Sequence, residues 1–170
     1  MLSNELLEEA FGRIRGAVHI ALKDAGTEVL TFRSGPEANT IAWLVWHLTR
    51  VQDDHIADLM GEQQVWTAGG WVDRLDLPFD ASATGYGQSA AEVGAVRTES
   101  ELLKGYYDAV HDRTIGYLRT LTEADFARIV DTSWNPPVTL AVRLVSILSD
   151  DLQHAGQASF VRGLAKRAFL

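Results

Sequence analysis

Four long stretches of this chain repeat apolar residues at intervals of three and four, and that spacing leaves few folds open to it. From Asn4 to Lys23 the repeat runs Leu6, Leu7, Ala10, Phe11, Ile14, Val18, Ala21 and Leu22, the stripe of an amphipathic helix ended by the turn LKDAGTEV. Asn39 is placed as the N-cap of a second helix reaching Met60, where Gly61 supplies the stop. Its core face is Ile41, Leu44, Val45, Leu48, Val51 and Leu59. Thr98 followed by Glu101 makes a capping-box pattern, and the third helix, Glu99 to Leu121, repeats Leu102, Leu103, Tyr106, Val110, Ile115 and Leu118. Thr122 with Asp125 opens a short helix through Val130, and Pro136 with Pro137 reset the chain before a last helix from Val138 to Leu164. Four long helices predict an all-α antiparallel bundle.

Residues 61–97, between the second and third long helices, do not suit a short bundle loop. They hold six glycines, Pro78 and the aromatics Trp66, Trp71, Phe79 and Tyr86. Structureless loops longer than ~12–15 residues are uncommon in compact domains, and four aromatics argue against disorder. Two readings stay open, a packed crossover and a lid over a substrate. SAAEVGAV within this stretch fits a short helix.

Size and charge narrow the functions. A chain of 170 residues with 46% hydrophobic composition fits one domain, residues 1–170, with one core. Fifteen basic against twenty-three acidic residues give a net charge of -8, which disfavours nucleic acid and anionic membranes as partners. With no cysteine there are no disulfides and no thiolate ligands or nucleophiles, so thiol chemistry needs a thiol from outside. The start, MLSNELLEEAFGRIRG, is acidic where a signal peptide is basic, and no apolar run approaches the ~20 residues of a membrane span. A cytoplasmic protein is expected.

The residues that point to chemistry are His47 on the second helix and Asp150 with His154 on the last. An i, i+4 pair shares one helix face with side chains ~5–6 Å apart, so this aspartate and histidine can grip one ion. A third ligand from another helix completes a site with one coordination position left open. Periodicity alone favours His55 as the interior histidine of the second helix, because the apolar centre lies near Leu44, Leu48 and His55 while His47 flanks it with Trp43, Arg50 and Asp54. The last helix is apolar on nearly every side: Leu140, Leu144, Val145, Leu148 and Leu152 on one face, Ile147, Ala158 and Val161 around Asp150 and His154 on the other. Such a helix is central or is covered by a lid or partner. A carboxylate among those neighbours is costly unless paired, with Arg143 as an alternative partner, or metal-bound. Asp151 and Ser149 are the local alternatives. GGW and GYG lack the strand-to-helix context and lysine of a phosphate loop, HExxH does not occur, and no Ser, His and Asp set has a nucleophile turn.

NTIAWLVWHLTRVQDDH in the second helix and VTLAVRLVSILSDDLQHAGQASFVRGL in the last resemble the DinB-like superfamily, most closely its actinobacterial members related to mycothiol-dependent S-transferases. The resemblance covers most of the chain. It implies an up-down-down-up four-helix bundle, a homodimer, and a metal held by one histidine of the second helix and an i, i+4 pair before a Gly-Gln: His47, Asp150 and His154, with Gly156 and Gln157. Relatives often place His or Glu where this chain has Asp150. The related maleylpyruvate isomerases carry a further C-terminal domain; this sequence ends at Leu170, and their activity is not expected here.

The resemblance and the chemistry together give an expected function. A divalent ion, Zn²⁺ first with Ni²⁺ or Fe²⁺ as alternatives, would deprotonate a low-molecular-weight thiol such as mycothiol for attack on a small electrophile. Arg50, Trp43 and Trp71 are candidate substrate contacts, with Trp66 as a further wall, and Asp54 or His55 are candidate catalytic groups. A hydrolase using bound water, with His55 or Asp54 as base, is the alternative enzyme. A non-catalytic bundle that binds a small apolar ligand or self-associates is the third reading.

Overall fold

In the computed structural model, which describes residues 2–169, eight helices follow in chain order: α1 (Ser3–Leu22), α2 (Thr27–Leu30), α3 (Ile41–Met60), α4 (Val65–Ala68), α5 (Trp71–Leu75), α6 (Ala90–Ala95), α7 (Ser100–Thr120) and α8 (Leu140–Ala168). Met1 and Leu170, the ends of the expected domain, lie outside the described residues. The four long helices α1, α3, α7 and α8 are the four read from the periodicity. Their boundaries differ where local chemistry decides. Thr40 rather than Asn39 caps α3, its side chain accepting from Trp43 N at 3.1 Å, and Gly61 ends the helix in the left-handed region (φ 67). The expected Thr98–Glu101 capping box does not form, since Glu99 is the N-cap of α7. Capping boxes close instead at Ser89–Glu92, which starts α6 within SAAEVGAV, and at Thr122–Asp125.

After Thr122 the expected short α-helix through Val130 is a 3-10 turn, Glu123–Ala127, followed by strand β1 (Ile129–Asp131) paired antiparallel with β2 (Val138–Thr139). β-Branched Ile129, Val130, Val138 and Thr139 suit an extended ribbon, and the intervening prolines cannot continue a helix. Thr139 then caps α8, accepting from Val142 N.

Ion pairs fix the helix directions. Glu8 meets Arg119 at 2.9 Å and Arg15 meets Asp108 at 2.8 Å, so α1 and α7 are antiparallel. His47 lies beside His154, and His55 beside Arg143, so α3 and α8 are antiparallel. Arg162, late in α8, donates to the carbonyl of Ala21 at the end of α1, so those two are parallel. The order is therefore up-down-down-up, with α1 and α3 each packed between α7 and α8. Because α3 and α7 point the same way, residues 61–99 must return along the full length of the bundle, roughly 30 Å for a 20-residue helix. A short loop is geometrically impossible, which explains the long crossover.

Buried polar groups fasten that crossover to α3. Asp53 accepts from the backbone N–H of Val65 at 2.8 Å and Trp66 at 2.7 Å, and from the Tyr106 hydroxyl at 2.8 Å. Arg50, fully buried, donates to the Ala83 carbonyl at 3.0 Å and Gln64 Oε1 at 2.6 Å. Trp66 donates to the Ala81 carbonyl at 2.9 Å and packs on Tyr106. Trp71 also packs on Tyr106, and a Cβ at Gly105 would come within 2.7 Å of its ring, so that glycine makes its seat. No helix among the described residues is long and apolar enough to cross a membrane.

Candidate metal centre

The antiparallel seam of α3 and α8 brings His47, Asp150 and His154 together. One ligand atom from each lies within 4.8 Å of the others. His154 Nε2 is 3.6 Å from Asp150 Oδ1, close to the ~3.3 Å that separates two ligands sharing one ion at about 2 Å each. The site is built around their free lone pairs. His47 Nδ1–H donates to the Thr84 carbonyl at 2.6 Å, and His154 Nδ1–H donates to Gln157 Oε1 at 3.0 Å, so each ring keeps Nε2 for a ligand. Asp150 Oδ2 is buried without a hydrogen-bond partner. A buried, orphaned carboxylate oxygen beside two imidazole nitrogens is a donor set that fits a divalent cation.

Electrostatics favour the ligating state at two of the three residues. Burial holds the His47 imidazole below the usual histidine value, outweighing its bond to Thr84. The Asp150 carboxylate, 3.6 Å from Nε2, raises His154 against the effect of burial. Burial pushes Asp150 up, but the nearby His154, with His47 and His55, holds its carboxyl below the ordinary range. The carboxylate is thus kept ionised and the deeper histidine neutral, the states metal ligation needs, while the raised affinity of His154 for a proton means that an incoming ion must displace one there. Asp150 is not paired with Arg143, which is bound to Asp131 at 2.7 Å and to His55.

The wheel pointed to His55, yet His47 is the more buried, at 6% exposure. The crossover covers the flank of α3 that periodicity alone places beside its apolar centre. Gly85 does this covering: at φ +96, with a Cβ that would fall 2.7 Å from His47 Nδ1, it lets the chain press its Thr84 carbonyl onto the ring. The GYG that makes no phosphate loop is this turn. Its signal was glycine spacing without an obvious partner.

Trp43 stacks on His47 with ring centroids 4.6 Å apart and an interplanar angle of 15°, and donates to Gln88 Oε1 at 2.7 Å. A cavity of about 340 Å³ opens beside the cluster, walled by His47, Asp150, Asp54 and His55 and by Thr84, Tyr86 and Ser146. Tyr86, 94% exposed, forms its rim. Arg50, Trp43, Trp66 and Trp71 are not on this wall; Trp43 packs on His47, and the other three hold the crossover and the α5–α7 contact. Asp151, next to Asp150, is fully buried with neither oxygen bonded; burial, and the charge of Asp150, push its carboxyl well above the usual range.

Fold and cluster together define a four-helix protein with a two-histidine, one-carboxylate group where antiparallel helices meet a pocket. The family model of the DinB superfamily matches residues 10–158, and the chain belongs to that superfamily, whose members often bind metal. The chain is similar to a protein of known crystal structure, described as the conserved protein of locus from Enterococcus faecalis, at 28% identity and a TM-score of 0.90, covering 97% of this chain and 98% of that one. No curated protein matches.

Proposed function

We propose that the protein is a metal-dependent transferase of the mycothiol S-transferase type, activating a low-molecular-weight thiol for attack on an electrophilic small molecule. The observation that supports this reading is that His47 and Asp150, clustered with His154, line a cavity of about 340 Å³ in a chain without cysteine. The three residues would hold the ion, Zn²⁺ first by donor type, with Ni²⁺ or Fe²⁺ as alternatives. When bound, it supplies a Lewis-acid position that favours the deprotonated form of a thiol. The chain does the rest. Thr84 and Gln157 hold the two imidazoles in one tautomer, Trp43 shields the inner face of His47, and Asp54 and His55 line the space left for the electrophile.

The proposed partners are small molecules in the cytoplasm, and a second copy of the chain. Val142, Val145, Leu152 and Phe160 form an exposed apolar stripe along α8, which supports pairing of two copies there. The test is conjugation of a thiol to a chromogenic electrophile by Zn²⁺-loaded protein. Product that requires protein, metal and thiol supports the transferase. Substrate cleavage without thiol would make it a hydrolase, and metal binding without any turnover would make it a binding protein.

A further inference from the structure

The cavity has a second polar end, away from the metal ligands, built by a chain of three residues. Asp131 on β1 accepts from Arg143 Nη2 at 2.7 Å, and Arg143 Nη1 lies 3.1 Å from His55 Nδ1. A guanidinium has only donors, so His55 Nδ1 is the acceptor and the ring proton must sit on Nε2. The Nε2 nitrogen makes no hydrogen bond among the described residues, and His55 lines the cavity together with His47 and Asp150. Burial, and then the Arg143 charge, hold the ring below the usual histidine value, in agreement with a neutral imidazole.

We propose that His55 is a hydrogen-bond donor locked in one tautomer by Arg143 and Asp131, and that it selects ligands bearing a neutral carbonyl oxygen. It rests on the proposed function for its use in a reaction, since it names the kind of molecule that pocket takes. A general base needs a free lone pair, and the only one on this ring is occupied by Arg143; proton uptake would have to break that bond. Charge decides between a carbonyl and a carboxylate as the acceptor. Asp54 and Asp150 face the same cavity, while the positive charge of Arg143 is already met by Asp131. In the metal-free protein an anionic ligand would meet two carboxylates, and with an ion on Asp150 it would still meet Asp54, whereas a ketone, ester or amide accepts the Nε2–H without adding charge. The free side of Asp54, whose Oδ1 accepts from Gln64 at 2.6 Å, leaves an acceptor for a ligand N–H or O–H.

The test is nitrogen NMR of protein labelled with ¹⁵N-histidine, in the metal-free state, so that failure of metal binding at His47 leaves the outcome readable. In the wild type His55 should show an unprotonated Nδ1 and a protonated Nε2, and Arg143→Met should replace this by a mixture of tautomers. N-methylacetamide should shift the Nε2 signal to saturation, acetate at equal concentration should not, and His55→Phe should abolish amide binding. A proton found on Nδ1, an unchanged tautomer in Arg143→Met, or a response to acetate in place of the amide would overturn the proposal.

Discussion

His47 donates its Nδ1 proton to the backbone carbonyl of Thr84, 2.6 Å away, and this one bond joins the crossover to the metal cluster. It sets the ring tautomer, points Nε2 at Asp150 and His154, and depends on the turn at Gly85. Outer partners of this kind orient first ligands and raise their basicity.

Gly85→Ala should therefore weaken Zn²⁺ binding by about 10–100-fold, the usual cost of losing an outer hydrogen-bond partner. The added methyl meets His47 Nδ1 at a backbone angle only glycine adopts freely. Competition with a chromogenic chelator measures it. An alanine variant that binds Zn²⁺ as tightly as wild type would mean the carbonyl clamp does not support the site.

The crossover should come loose when Asp53 is changed. Asp53→Ala leaves the Val65 and Trp66 amides and the Tyr106 hydroxyl without their acceptor at a fully buried position, with Arg50 beside it. Unmet buried donors cost about 1–3 kcal/mol each, so a loss of roughly 3–5 kcal/mol is expected in urea unfolding. Amide exchange should rise first in residues 61–87. A change below about 1 kcal/mol would show the strap is held by its aromatics alone.

Acid should destabilise the metal-free protein through His111. Its Nδ1 is buried without a partner, and burial, with Arg15 and His19 of α1 opposing Asp108 and Asp112 of α7, lowers its affinity for a proton. Folded His111 thus binds fewer protons than unfolded His111. Its contribution is complete above the unfolded value of about 6.5 and declines as the pH falls below it. Melting temperatures of wild type and His111→Gln between pH 8 and pH 5 check this: the wild type should lose more than the variant, and parallel curves would remove His111 as a cause.

Much of this was legible in the chain because helices announce themselves by period. The four long helices, the Gly61 stop and the i, i+4 placement of Asp150 and His154 needed only spacing. The ribbon after Phe126 is hidden because Thr122 and Asp125 signal a helix start without signalling how soon β-branched residues end it. His47 was harder, since a helical wheel measures one helix, and what buries this ring is a carbonyl from a turn 37 residues later. Arg50 and Trp71 looked like pocket residues for the same reason, when their partners are the crossover and Gly105. The support of His55 by Arg143 and Asp131 joins three elements and no local pattern contains it.

The most direct measurement is the metal content of wild type beside His154→Ala, both purified without chelator and both checked for helical folding. Close to one divalent ion per wild-type chain and almost none in the variant is expected, with the fold intact. Equal metal in both, or none in a folded wild type offered Zn²⁺, would contradict it.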